Sequence, residues 1–85
     1  MKDWRLQDQE DYLMNKSLIF TRYEKYRDDW DHDHCEFCNA KFSTYEGDLH
    51  DGYATVEKYY WICQECYHDF KSIFNWKLIN ELPNN

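Results

Sequence analysis

Four cysteines stand in two pairs of identical spacing, Cys35-Glu36-Phe37-Cys38 and Cys63-Gln64-Glu65-Cys66, with 24 residues between the pairs. Two residues between thiolates let both sulfurs converge on one ion at about 2.3 Å, and two such pairs complete a tetrahedron around Zn²⁺. The gap is long enough for a hairpin that folds the second pair back onto the first. The alternative chemistries fit less of the pattern. Two disulfides need an oxidising compartment. A redox CxxC would employ one pair and leave the other without a role. Cys35, Cys38, Cys63 and Cys66 are therefore the expected metal ligands, holding one structural Zn²⁺. Four protein ligands leave no position open for water, so such a site organises the chain and does no catalysis. Spacing alone does not separate zinc from a mononuclear iron bound by the same donors.

A second group of chemically capable residues, Asp31-His32-Asp33-His34, runs straight into the first pair. A histidine beside a thiolate ligand can donate an N–H to sulfur or to a backbone carbonyl. His32, His34 and His68 are thus candidates to buttress the metal, and His34, adjacent to Cys35, is an alternative ligand. His50 falls in a polar loop and is expected to be solvated. The same run permits hydrolytic chemistry, in which a histidine activates water and a neighbouring Asp or His holds a divalent ion at a phosphate.

The elements that position these groups follow from pattern. Arg5 to Met14 is compatible with a short helix. Residues 17–26 mix helical spacing with β-formers and are read as a strand from Ser17 to Tyr26. Lys41 to Tyr45 reads as a short strand. Glu46-Gly47-Asp48 and His50-Asp51-Gly52 read as turns. Tyr53–Val56 and Tyr59–Ile62 read as a hairpin closed near Glu57-Lys58. Alternation there sets Tyr60 and Ile62 on one face and Tyr59 and Trp61 on the other. After the second pair, Tyr67, Phe70, Ile73, Phe74 and Leu78 take helical spacing, which predicts a helix over 66–80 that stops before Pro83. One hairpin face must pack on Phe70, Ile73 and Phe74. The other needs a cover, either the first 30 residues with their rings Trp4, Tyr12, Phe20, Tyr23, Tyr26 and Trp30, or a second molecule. Trp76, off the helix stripe, is the expected partner contact, with Tyr59 and Trp61 as further candidates.

A CxxC knuckle, a β-hairpin and a second CxxC whose last cysteine opens a helix resemble the treble-clef zinc finger over about residues 33–80. A zinc ribbon would set both pairs on β-turns. The resemblance implies an α+β fold. Residues 31–82 form its zinc-binding core, with a helix/strand extension (1–30) packed on it and a loose tail (83–85), all in a single 85-residue domain. The segments around the two pairs are also similar to a group of small bacterial zinc-binding proteins described only as uncharacterised, which implies no function. Some HNH-type nucleases of the phage recombination-endonuclease kind carry a similar DHDH run on a Cys₄ treble clef. There the run lies between the pairs. Here it precedes the first pair, and Tyr67, not Asn, follows Cys66.

Composition narrows the function classes. Leu, Ile, Val and Phe together make up just under a fifth of the chain, which borders on the disordered class. Aromatics at 20%, with only 2 Gly and 1 Pro, pull it back. A buried ring removes roughly 150–250 Å² from water and replaces several aliphatic groups. The 17 acidic residues outnumber 10 basic ones, for a net charge of −7. Four thiolates add four negative charges and Zn²⁺ returns two, so the metal-bound chain carries −9. General nucleic-acid binding and anionic-membrane binding both need clustered cations and are disfavoured. No apolar run approaches the roughly 20 residues of a membrane span, and residues 1–8 carry no apolar leader core, so a cytoplasmic location is expected. These readings converge on a zinc-stabilised, non-catalytic interaction, adaptor or inhibitory module for a protein partner of basic character. A metal-dependent nuclease using Asp31–His34, or a thiol redox sensor, is the alternative.

Overall fold

The computed structural model describes residues 3–25 and 27–80, the side chain of Asn80 excepted. In chain order these residues form α1 (Glu10–Leu13), β1 (Ser17–Arg22), β2 (Asp33–His34), β3 (Lys41–Phe42), β4 (Asp51–Thr55), β5 (Trp61–Ile62), α2 (Gln64–Phe74) and β6 (Lys77–Asn80). A four-stranded sheet runs β5-β4-β1-β6, and β2 and β3 make a separate ribbon. The fold is a small mixed α+β unit. Tyr26, Pro83 and the tail 83–85 lie outside the described residues.

The N-terminal segment contributes more than a cover. Strand β1 sits inside the main sheet, antiparallel to β4 and parallel to β6. Its β-forming run Leu18-Ile19-Phe20 stays extended because both edges find hydrogen-bond partners, and Leu18 is fully buried. The strand ends at Arg22 rather than at 26. The helix expected over 5–14 shrinks to one turn, since Asp8 and Asn15 take left-handed backbone (φ 71° and 62°) at its two ends.

The largest departure from the periodicity lies at the C-terminal end. Helix α2 does not run on to Asn80. Asn75 takes φ 55° and its N–H donates to the Lys71 carbonyl, the geometry of a left-handed helix stop. The Trp76 indole N–H then donates to the Leu13 carbonyl at 2.8 Å, and residues 77–80 extend to pair with β1. Leu78 therefore lies opposite Leu18 in a sheet and not on a helix face. Ile73 is 56% exposed because the buried stripe of α2 is Tyr67, Phe70 and Phe74.

The expected hairpin forms as β4 and β5, closed by a Thr55–Tyr60 turn with Lys58 at φ 62°. The buried Thr55 hydroxyl accepts from the N–H groups of Tyr59 and Tyr60. Trp61 and Ile62 are both fully buried, so both faces of β5 are covered and the in/out alternation is lost. Rings do most of the covering. Trp61 packs on Tyr23 and Phe42, Tyr53 stacks on Tyr67 at 3.6 Å, and Phe37 meets Phe70, Phe74 and Trp76.

Gly52, read from sequence as a turn residue, lies within β4. A Cβ there would come within 2.7 Å of a Phe42 ring carbon and 2.9 Å of the Ile62 carbonyl oxygen. Only a hydrogen fits between the strand and that ring. Gly52→Ala is expected to lower stability by about 1–3 kcal/mol, the range for overpacking a filled core. Urea unfolding should show this as a lower midpoint at unchanged slope. An unchanged midpoint would mean that Phe42 is free to move away.

Candidate metal centre

The two cysteine pairs are delivered by different devices. Cys35 follows β2, and Cys38 lies within the turn that leads back into β3. The turn is held by the Cys35 N–H to the Ala40 carbonyl at 2.7 Å and by the Asn39 N–H to the Cys35 carbonyl at 3.1 Å. Asn39 takes φ 68°, a conformation that Asn tolerates better than most residues. The Glu36 N–H donates to the Trp61 carbonyl at 2.9 Å, which ties this knuckle to β5 two residues before Cys63. Cys63 is the N-cap of α2, its sulfur accepting from the Cys66 N–H at 3.4 Å, and Cys66 lies in the first turn. Both sulfurs of this pair therefore sit at the positive end of the helix dipole, which favours thiolates.

The four sulfurs lie within 4.8 Å of one another, and those of Cys38 and Cys63 are 3.7 Å apart. A tetrahedron with arms of about 2.3 Å has edges of about 3.8 Å, so the cluster has the size of a Cys₄ zinc site. All four cysteines are free. Among the described residues no other group of three or more His, Cys, Asp or Glu converges in this way.

The electrostatics of the donor set call for a cation. Cys35 is held down at about 5, first by the hydrogen bond shared with Cys63 and then by backbone N–H groups. That one charge acts on its neighbours. Cys63 is driven upward by the same shared bond and by burial, and Cys66 is pushed up to about 12 by burial and by the charge on Cys35. Burial and mutual repulsion oppose charge on more than one of Cys35, Cys63 and Cys66. A divalent ion at their centre is what allows four thiolates. A metal ion held by these four cysteines would cross-link the two halves of the chain.

The residues that support the sulfurs are not the histidines. Cys35 accepts from the N–H groups of Phe37 (3.5 Å) and Cys63 (3.4 Å). Cys66 accepts from the Arg5 guanidinium at 3.5 Å. Arg5 is fixed in turn by Asp3 at 2.7 Å and Asp69 at 3.1 Å, and it lies over the Phe70 ring at 4.5 Å. Asp3 accepts from both the side chain and the N–H of Arg5, which holds its carboxyl down at about 2. Buried Gln9 donates to the carbonyls of Arg5 and Glu36, and the Tyr12 hydroxyl donates to the Glu36 carboxylate. The N-terminal segment is thus clamped onto the first knuckle.

Among the described residues no histidine donates to a cysteine sulfur. His32 pairs with Asp31 at 2.8 Å, and exposed His34 sets its ring edge-on against His32. His68 lies on the exposed side of α2, edge-on to Tyr53 and Tyr67. His50 is exposed and bonds the Tyr45 carbonyl. Within the DHDH run, Asp33 has both carboxylate oxygens engaged, by the Tyr23 hydroxyl at 2.8 Å and the Trp30 indole N–H at 3.1 Å. Its burial raises its carboxyl from the ordinary range.

Two expected partner contacts belong to the core. Trp61 is fully buried because β5 lies under the ring cluster, and Trp76 is 8% exposed because its indole is drawn in to Leu13. Tyr59 is half-buried, edge-on to Trp30 and Tyr60. Arg5, Gln9 and Tyr12 carried no sequence signal, since each acts across more than 20 residues of chain with no motif around it.

Comparison with protein-family models, with curated proteins and with solved structures finds no match to this chain. Among the described residues no helix is long and apolar enough to cross a membrane.

Arg5→Ala is expected to weaken zinc binding about 10–100-fold, the usual effect of losing a group that supports a ligand. Arg5→Lys should recover only part of it, because an ammonium cannot reach Cys66, Asp3 and Asp69 together. Competition against a chromophoric chelator measures both. Equal affinities in all three proteins would remove Arg5 from the metal site.

Proposed function

We propose that the chain is a treble-clef zinc-binding module that acts through contacts with a protein partner and performs no catalysis of its own. The observation that carries this reading is the closed donor set: four cysteine sulfurs within 4.8 Å of one another. A zinc ion bound there has its coordination filled by protein, with no position for water or substrate. The arrangement of the pairs favours the treble clef. The first lies in a turn between two strands, and the second opens α2 directly after the β4–β5 hairpin. Four reduced thiols fit a cytoplasmic setting.

The charge of −7, or −9 with zinc, points to a partner with basic surface, because complementary charge speeds encounter and rejects wrong partners. With Trp61 and Trp76 in the core, the contacts fall to half-buried Tyr59 and to the exposed apolar side chains Trp4, Val56, Ile73 and Ile79. In this reading the DHDH run is structural: Asp33 fastens Tyr23 and Trp30, and Asp31 pairs with His32.

Zinc removal and a nuclease assay test the two halves of the proposal. A high-affinity chelator should abolish the near-UV signal of the packed rings, and added Zn²⁺ should restore it. The zinc-loaded protein should leave plasmid DNA intact with Mg²⁺ or Mn²⁺. Native tertiary structure after complete metal removal would overturn the structural role. Cleavage that disappears in a His34→Ala variant still holding zinc would replace the module with an enzyme.

A further inference from the structure

The four sulfurs are not equally protected. Cys35, Cys63 and Cys66 are buried, and each accepts at least one hydrogen bond from a backbone N–H or from the Arg5 guanidinium. Cys38 is part-exposed, and among the described residues no N–H group donates to its sulfur, which lies 3.7 Å from the Cys63 sulfur and within 4.8 Å of the other two. Hydrogen bonds to a thiolate occupy its lone pairs and draw off charge, so the sulfur without them keeps the most nucleophilic electrons.

A groove of about 300 Å³ adjoins this part-exposed cysteine, with Cys38, Ala40, Leu49, Asp51, Cys63, Gln64 and Glu65 in its lining. Ala40 and Leu49 give it an apolar wall. Asp51 and Glu65 place carboxylates at its margin, and no Lys or Arg lines it. A small uncharged molecule can enter along the apolar wall. An anion must approach two carboxylates and a zinc–thiolate centre that is itself negative.

We propose that Cys38 is the modification site of this protein, the one sulfur through which small, neutral, soft carbon electrophiles reach and open the zinc centre. The inference rests on the zinc reading above. With a haloacetamide the step is a simple displacement. The Cys38 sulfur attacks the methylene carbon, an S–C bond forms, the carbon–iodine bond breaks and iodide leaves with the electron pair. The product is an uncharged thioether in place of a thiolate ligand. Zinc is left with three thiolates and is lost to a competing chelator.

The test treats zinc-loaded protein, its metal content measured beforehand, with a limiting amount of iodoacetamide or iodoacetate. Peptide mapping locates the first adduct, and a colorimetric chelator follows zinc release. The first adduct is expected on Cys38, with one zinc released for each adduct. The preference for iodoacetamide over iodoacetate should exceed that of glutathione by about fivefold or more, as expected of a negatively charged margin. The pair Asp51→Asn and Glu65→Gln, which replaces no cysteine of the cluster, should bring the preference back toward the glutathione value. A first adduct on Cys35, Cys63 or Cys66 in zinc-loaded protein would overturn the inference and leave the zinc reading standing. So would a preference no greater than that of glutathione. Protein that binds no zinc would overturn the reading beneath it, and the prior metal analysis reports that separately.

Discussion

Four cysteine sulfurs, three of them on buried residues, lie within 4.8 Å of one another, and the rest of the structure depends on meeting the demand of holding them there. Two come from a strand-to-strand turn and two from the start of α2, so neither half of the chain makes the site alone. The backbone answers part of the charge by aiming N–H groups at Cys35 and Cys63. Arg5 answers another part, reaching Cys66 from 61 residues away. A divalent ion held among the sulfurs would answer the remainder. The site and the N-terminal segment are therefore one problem. The segment that carries Arg5 also supplies β1, which lies between β4 and β6 and fixes where the hairpin leading into Cys63 can lie.

The core shows how a chain poor in aliphatic residues meets this demand. Rings fill the space that branched side chains fill elsewhere. Tyr53, Tyr67 and Trp76 stack in series, while Phe37 of the first knuckle packs against Phe70 and Phe74 of α2. Phe37 stands between two cysteines of the cluster, so the hydrophobic contact between knuckle and helix is built into the CxxC motif itself. Polar handles keep the rings in place. The Trp61 indole bonds the Lys58 carbonyl, Trp76 bonds Leu13, and Tyr23 bonds Asp33. A ring that is both buried and hydrogen-bonded has few alternative positions.

Much of this was legible in the residues. The cysteine spacing marked the metal cluster, because a CxxC pair converges by local geometry alone. The β4–β5 hairpin was legible for the same reason. What failed was whatever depended on distant partners. Residues 77–80 continue a helical pattern on paper, yet they form β6, because β1 offers an edge that periodicity cannot see. Asn75 was the available signal, since Asn is one of the few residues that stop a helix in left-handed conformation. Trp76 looked external on a helical wheel, and it is internal once the helix ends at Phe74, two residues earlier. The histidines next to Cys35 read as support for the metal, whereas the side chain that reaches a cysteine sulfur in the fold is Arg5, one cation among ten. Proximity in sequence gave no guide to that contact, which is made across 61 residues of chain.

Zinc K-edge X-ray absorption on the metal-loaded protein tests the central claim most directly, since it counts the atoms bound to the ion and identifies them. A closed site predicts four sulfur scatterers at about 2.3 Å and no nitrogen or oxygen in the first shell. A first shell containing a nitrogen or oxygen near 2.0 Å would contradict it. Such a shell would mean that a histidine or a water holds a coordination position, and the site would then be open to chemistry.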